Sequence, residues 1–395
     1  MSPTGPATLP ALPARRLRQA DAGKLLGLLN QQQARKLDVV VPAQQLRIDR
    51  GYLLVEGADP HLGEDGVYDL NGLYTLTDSA VGDLATDFKI PVPYLRRCRT
   101  DNLRAFCNAI NDWARRETDR KVLLRLLWGR DRRDKNSHGI VRAVLSDSYG
   151  FRDNLDMATV FLAGLREAGL DDTQVLTADM SDDHLYMRVA APQIAVAAPE
   201  LVGNYRSPFN QRSGADCPLV FAGVEFRNSE TGHGKTMVAP QITIQICSNG
   251  MTFTQQALTQ IHRGTRLRQG IVRWKADTYA ADDHAFSLQI RDAVQSFLTP
   301  EFVQERVDEI SGAAQVLLPE PDQTLTVVAK QLRFSEAERQ GIWEHFLIGG
   351  DRSAGGIMHA VTSYAQVLAD NGRIDRGNEF NTLGLNALRL AAANA

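Results

Sequence analysis

Between residues 122 and 254 short apolar runs alternate with turn-forming residues, broken once by helical spacing, and this order constrains the fold more than any other feature. Val122 to Trp128 and Ile140 to Leu145 are apolar runs joined by the polar stretch Arg130 to Ser137, which predicts a β-hairpin with a basic tip. Asp153 or Asn154 then offers a capping oxygen to a helix reaching Ala168, where Gly169 supplies the stop. Val175 to Ala178 and His184 to Ala190 predict a second hairpin across Ser181-Asp182-Asp183. Val220 to Phe226, a turn through Gly234, Ile242 to Cys247, the Asn249-Gly250 turn and Met251 to Thr254 predict a meander. The predicted class is α+β, with central antiparallel hairpins and a packed helix.

The flanks read differently. Residues 17–121 are predicted to be a mainly helical amino-terminal region. It would hold a helix over Leu17 to Leu29, strands at Val39 to Val41 and Leu46 to Val55, and a loop over Asp59 to Leu70. A helix capped near Thr77 should end at Phe88, because Ile90-Pro91-Val92-Pro93 cannot continue it. In the next helix Leu103, Phe106, Ile110 and Trp113 form an apolar stripe expected to face the core. Residues 122–278 make the central α+β unit, and 279–395 a helical carboxyl-terminal region that includes Glu336 to Leu347, Gly356 to Ala369 and Phe380 to Ala393. Residues 1–16, with Pro3, Pro6, Pro10 and Pro13, read as a disordered arm without the apolar core of a secretory signal.

With 395 residues, 43% of them hydrophobic, and a formal charge of -3, the composition is that of an ordinary folded protein. No apolar run approaches the roughly 18 residues of a membrane span, so no membrane association and a cytoplasmic location are expected. Cys98, Cys107, Cys217 and Cys247 form no close pair and are expected to stay reduced.

The small net charge conceals an uneven distribution. From Glu56 to Phe88 there are eight acidic residues and no Lys or Arg, whereas Arg96 to Arg142 holds 14 basic and six acidic residues. A second patch, Arg263, Arg266, Arg268, Arg273 and Lys275, contains Trp274 and no acid. Arg and Lys supply phosphate contacts and aromatic rings stack on unpaired bases. The candidate nucleic-acid contacts are therefore Arg130, Arg132, Arg133 and Lys135 on the hairpin tip, with Arg263, Arg266, Arg268, Arg273 and the stacking residue Trp274. A chain with one acidic and one basic surface also suits self-association, so a homo-oligomer is expected, and the second reading is a self-assembling or partner-binding protein with no nucleic-acid role.

Catalytic patterns fail one by one. Ser229 to Thr236 resembles a phosphate-binding loop, but Pro240 and strand-like alternation follow where a helix should begin. Asp216, Glu225 and Lys235 are the nearest match to a metal-dependent nuclease and form the third-ranked alternative. The triplets Asp182-Asp183-His184 and Asp282-Asp283-His284 sit where turns or helix caps are predicted. No helical His pair and no nucleophile elbow is present, so no metal, no cofactor and no catalytic residue is expected.

Several segments taken together carry a likeness: Ile90 to Leu95, Asn108 to Trp113, Arg142 to Tyr149, Phe226 to Gly232, Cys247 to Met251 and His262 to Gly264. As a set they resemble the phage- and plasmid-associated proteins of the domain-of-unknown-function family numbered 932, over roughly Thr75 to Ala369. That resemblance implies a mobile-element protein concerned with DNA replication, recombination or defence. The hairpin-helix-hairpin order is also similar to the cores of single-strand annealing proteins. The leading expectation is single-stranded DNA binding or annealing without hydrolysis.

Overall fold

Two β-sheets, each with one apolar and one polar face, organise the α+β chain. The computed structural model describes residues 8–395 except 64, 148, 151, 171–174, 217, 245–249, 253–257 and 261–275.

The amino-terminal elements are β1 (Leu17–Ala20), α1 (Ala22–Gln33), β2 (Lys36–Pro42), β3 (Ile48–Asp49), β4 (Tyr52–Val55), β5 (His61–Gly63), β6 (Gly66–Tyr68), β7 (Gly72–Leu76), α2 (Asp78–Asp87), α3 (Val92–Asp101) and α4 (Leu103–Ala114). Next come β8 (Lys121–Trp128), β9 (Gly139–Ser146), α5 (Asn154–Glu167), β10 (Val175–Met180), β11 (Leu185–Ala197), α6 (Pro199–Val202), β12 (Leu219–Asn228), β13 (Thr236–Ile244), β14 (Gly250–Thr252) and β15 (Leu258–Gln260). The chain then turns helical: α7 (Ala276–Phe297), α8 (Pro300–Ala314), α9 (Pro321–Gln331), α10 (Glu336–Gly349), α11 (Ala354–Asp370) and α12 (Ile374–Ala393).

The first sheet has the order β2-β8-β9-β7-β4-β3, with β7 and β9 parallel and the other pairs antiparallel. The second runs β1-β10-β11-β12-β13-β14, and β15 also pairs with β13. The predicted hairpin β8-β9 forms, but it joins strands from residues 36–76, so one sheet crosses the expected boundary at residue 121. Strand pairing is decided by distant edges, which local periodicity does not report.

Other local departures have local causes. Asp21 accepts a hydrogen bond from the Lys24 amide and starts α1 there, leaving Leu17–Ala20 free to pair with β10 instead of extending the helix. Arg50 and Gly51 both have positive φ, so the single strand expected over Leu46 to Val55 folds into the β3-β4 hairpin. The expected 59–70 loop contains the β5-β6 hairpin. The arm, expected to be disordered, is docked at Pro10 and Leu12: Arg130 donates its amide to the Pro10 carbonyl at 2.7 Å, and the Leu12 amide donates to the Arg130 carbonyl at 3.1 Å. Its prolines favour extended backbone that can lie along an edge.

On the apolar face of the first sheet, Val122, Leu124 and Leu126 join Leu84, Phe106 and Ile110 in one core. Leu103 and Trp113 depart from the predicted stripe, 43% and 46% exposed, because α4 buries 106, 110 and 114, the four-residue ridge, instead. In the second sheet Met187, Val224 and Phe226 face α5, whose Phe161 ring stacks on Phe226 at 4.8 Å. Helix α7 closes onto α5 where Gly164 has no side chain; a Cβ there would lie 2.6 Å from Ile290.

The opposite faces are polar. Lys36, Asp38 and Arg125 project from the first sheet, and Asp179, Arg188, Glu225 and Gln241 from the second, following the two-residue strand period. The β12-β13 turn and the start of α5 cover the first of these faces; α11 and α12 meet the second.

Candidate nucleic-acid interface

Three cations and three carboxylates meet where the sheets join, Arg125, Arg142, Asp153 and Glu230 buried, Lys36 nearly so and Asp38 at the open edge. Arg125, 1% exposed, bonds Asp38 at 3.0 Å and Asp153 at 2.6 Å and donates to the Glu230 carbonyl at 2.7 Å. Lys36 contacts Asp153 at 3.0 Å and Glu230 at 2.8 Å, and Arg142 completes the set with a close ion pair to Glu230. Burial alone would push the Glu230 carboxyl upward, but Arg142, Lys36 and Arg125 outweigh it and hold the group well below the ordinary carboxylate range. With its charges balanced, this lattice positions the two sheets.

The turn that presents Glu230 is the segment that resembled a phosphate loop. It is a hairpin turn: the Ser229 hydroxyl accepts from the His233 amide at 3.0 Å, and Thr236 donates to the Asn228 side chain at 2.7 Å. Asn228 also donates to Asn154 and to the Arg152 carbonyl, at 2.9 and 3.1 Å. Thr231 donates to the Asp183 carbonyl at 3.1 Å, joining this turn to the β10-β11 turn.

A cleft of about 780 Å³ opens beside these turns. Arg15, Arg16, Arg96, Arg99, Arg373 and Arg376 line it, brought from the arm, α3 and the start of α12, and five aspartates stand between them. Arg15 and Arg16 meet Asp182 at 3.1 and 2.7 Å, and Arg99 meets Asp78 at 3.1 Å. Arg373 and Arg376 grip Glu338 at 2.7 and 2.9 Å. Burial opposes ionisation of Glu338, but the bonds from Arg376, the Ser335 amide and Arg373 bring its carboxyl down to about 2. Arg96 is the least committed, with one 3.4 Å contact to the Asp78 carbonyl.

The expected tip residues Arg130, Arg132, Arg133 and Lys135 are all exposed at the β8-β9 turn. Asp131 of the same turn lines the cleft, so the tip adjoins it. Arg263, Arg266, Arg268, Arg273 and Trp274 lie outside the described residues. Trp128 and Tyr205 are buried at 2% and 1% exposure and serve the core, so neither ring is open to a base.

The cleft arginines were not singled out from the sequence, since three separate segments supply them. The i,i+3 pairs Arg96/Arg99 and Arg373/Arg376 are the signal present in the chain, each placing two guanidinium groups on one helix face. The acidic and basic segments also meet within the molecule, through Arg99–Asp78 and Arg120–Asp87, the latter at 2.5 Å.

The nuclease set does not converge. Glu225 is buried on β12 beside Arg188 at 3.5 Å and Gln241 at 3.4 Å, whereas Asp216 precedes β12 and Lys235 follows its far end. A ten-residue strand separates those ends by about 30 Å. In the first Asp-Asp-His triplet, Asp182 takes Arg15 and Arg16, Asp183 takes Ser79, and His184 contacts Asp375 at 3.0 Å. The second triplet lies inside α7 rather than at its cap, and Asp282 and Asp283 both bind Arg152. Among the described residues no group of three His, Cys, Asp or Glu side chains is placed to hold a metal ion, and no helix is long and apolar enough to cross a membrane. No family model matches the chain, and no curated protein or solved structure shows significant similarity to it.

Proposed function

We propose that the chain is a nucleic-acid-binding protein of phage or plasmid type that holds single-stranded DNA along the β8-β9 tip and the adjoining cleft, and that it promotes annealing without hydrolysis. One observation carries this reading: Asp131 places the exposed tip cations at the rim of a cleft with six arginines. Guanidinium groups form forked contacts with phosphate oxygens, and a strand crossing the exposed tip would meet Arg130, Arg132 and Arg133 and then Arg96, the least committed arginine of the cleft. The likeness to mobile-element proteins of family 932 points the same way.

The test is fluorescence anisotropy of a labelled single strand at several salt concentrations. Affinity should fall with salt with a log–log slope near -0.7 per phosphate contact. Replacing Arg132 and Arg133 by Ala should reduce the slope by about 1.4. Affinity and slope unchanged in that variant would overturn the reading. The second reading is a self-assembling or partner-binding protein with no nucleic-acid role. The internal pairing of acidic and basic segments leaves less opposite charge to drive such assembly.

A further inference from the structure

The polar face of the second sheet carries a feature that strand binding does not use. Between that face and helices α11 and α12 lies a cavity of about 370 Å³, within the range of small-molecule sites. Its floor is hollow because Ala190 and Gly223, cross-strand partners on β11 and β12, bring no bulk. Ala365 and Ala369 of α11 are equally small on the other side.

The charges around the cavity are already satisfied by one another. Arg188 binds Asp179 at 2.7 Å, lies 3.5 Å from Glu225 and donates closely to Asn378. Arg18 binds Asp179 at 2.9 Å and Asp370 at 2.8 Å. Burial would raise the Asp179 carboxyl, yet Arg188, the Gln19 amide and Arg18 hold it below its ordinary value, so the cluster stays ionised and internally paired. A phosphate or carboxylate would find its cations occupied, and a charged amine would find its carboxylates occupied.

The remaining polar groups are neutral. Among the described residues, the side chains of Thr177, Thr243 and Asn381 line the cavity without a protein hydrogen-bond partner. Each can donate and accept, and the Asn381 amide presents a donor and an acceptor side by side, the pattern that reads a base edge. Phe221 and Pro192 add flat apolar surface to the same wall.

We infer that this cavity is a binding site for a neutral, planar, hydrogen-bonding heterocycle of the nucleobase class. Asn381 and the two threonines would take its polar edge, and Phe221 its face. The inference does not rest on the strand-binding reading, because the cavity is lined by different residues from the cleft.

Isothermal titration of the full chain with adenosine, guanosine, cytidine and thymidine in turn tests it. At least one nucleoside should bind saturably, and Asn381→Ala and Thr243→Val should each weaken that binding about fivefold, the loss of one net hydrogen bond. Ala190→Leu, which fills the floor, should abolish it. Asn381 is partly exposed and Thr243→Val preserves shape, so these two variants keep the test valid if Ala190→Leu fails to fold. Parallel titration with an oligonucleotide tells the sources apart: unchanged strand affinity in the variants means a free nucleoside, and a matching loss means a base presented by the strand. No binding of any of the four nucleosides at millimolar concentration, or binding indifferent to both polar variants, would overturn the inference.

Discussion

Arg125 and Glu230 stand 105 residues apart in the chain, yet a guanidinium nitrogen of one donates to the main-chain carbonyl of the other at 2.7 Å. The bond fixes the β12-β13 turn of the second sheet to the polar face of the first. The Glu230 carboxylate then takes Lys36 and Arg142 at the same junction. Replacing Glu230 by Ala would leave two buried cations short of an anion, and such losses cost about 3–5 kcal/mol. Chemical denaturation of Glu230→Ala should show a loss of that size, and a loss below about 1 kcal/mol would mean that the lattice does not hold the sheets.

Asp83 gives stability a pH dependence. Burial, and after it repulsion from Asp87 and Asp183, push its carboxyl up to about 7, against the hydrogen bond it accepts from the Val144 amide at 2.9 Å. His233, at 3.7 Å, also faces it and opposes the rise when charged. From about pH 4 to 7 the unfolded chain has lost this proton and the folded chain has kept it, so unfolding free energy falls as pH rises and then levels off. The contribution is of the order of 2–4 kcal/mol. Asp83→Asn should match the parent at pH 4 and exceed it by roughly 2 kcal/mol at pH 8 in urea titrations; equal stability at both values would refute the assignment.

Gly232 sits at φ +88°, and a Cβ there would approach Leu145 to 2.7 Å. Left-handed backbone and a close neighbour act together at this position. Gly232→Ala should cost about 1–3 kcal/mol, read as a lowered melting temperature.

The cleft arginines divide into one that is lightly held and others that are structural. Arg96→Ala should leave stability within about 0.5 kcal/mol, as surface changes do, while weakening strand binding and reducing the salt slope by about 0.7. Arg376→Ala removes a partner of the buried Glu338 and should lower the melting temperature as well. Equal strand affinity for Arg96→Ala and the parent would take Arg96 out of the proposed path.

Local signals in the sequence reported local structure well. The α5 stop at Gly169 follows directly from capping chemistry, since Gly169 has the positive φ that the stop requires, whereas Asp153 stands at the start without a cap bond and gives its carboxylate to Arg125 and Lys36. The β10-β11 and β12-β13 hairpins likewise follow from alternation between turn residues. What periodicity did not report was pairing at a distance: β1 with β10, β2 with β8, and the parallel contact of β7 with β9. The site shows the same division. The basic tip is visible because four cations fall within six residues, whereas the cleft is built by side chains from residues 15 to 376, so no window of sequence contains it.

That scattered construction bears on how the protein is made. Arg15 and Arg16 leave the ribosome first, Asp182 follows some 166 residues later, and Arg373, Asp375 and Arg376 emerge later still. Both sheets can pair while translation continues, but the cleft has no α12 wall until synthesis passes residue 376. A nascent chain halted at residue 370 would carry the basic tip and a cleft lacking its α12 wall, and the binding surface would be completed only once residues 373–376 had been made.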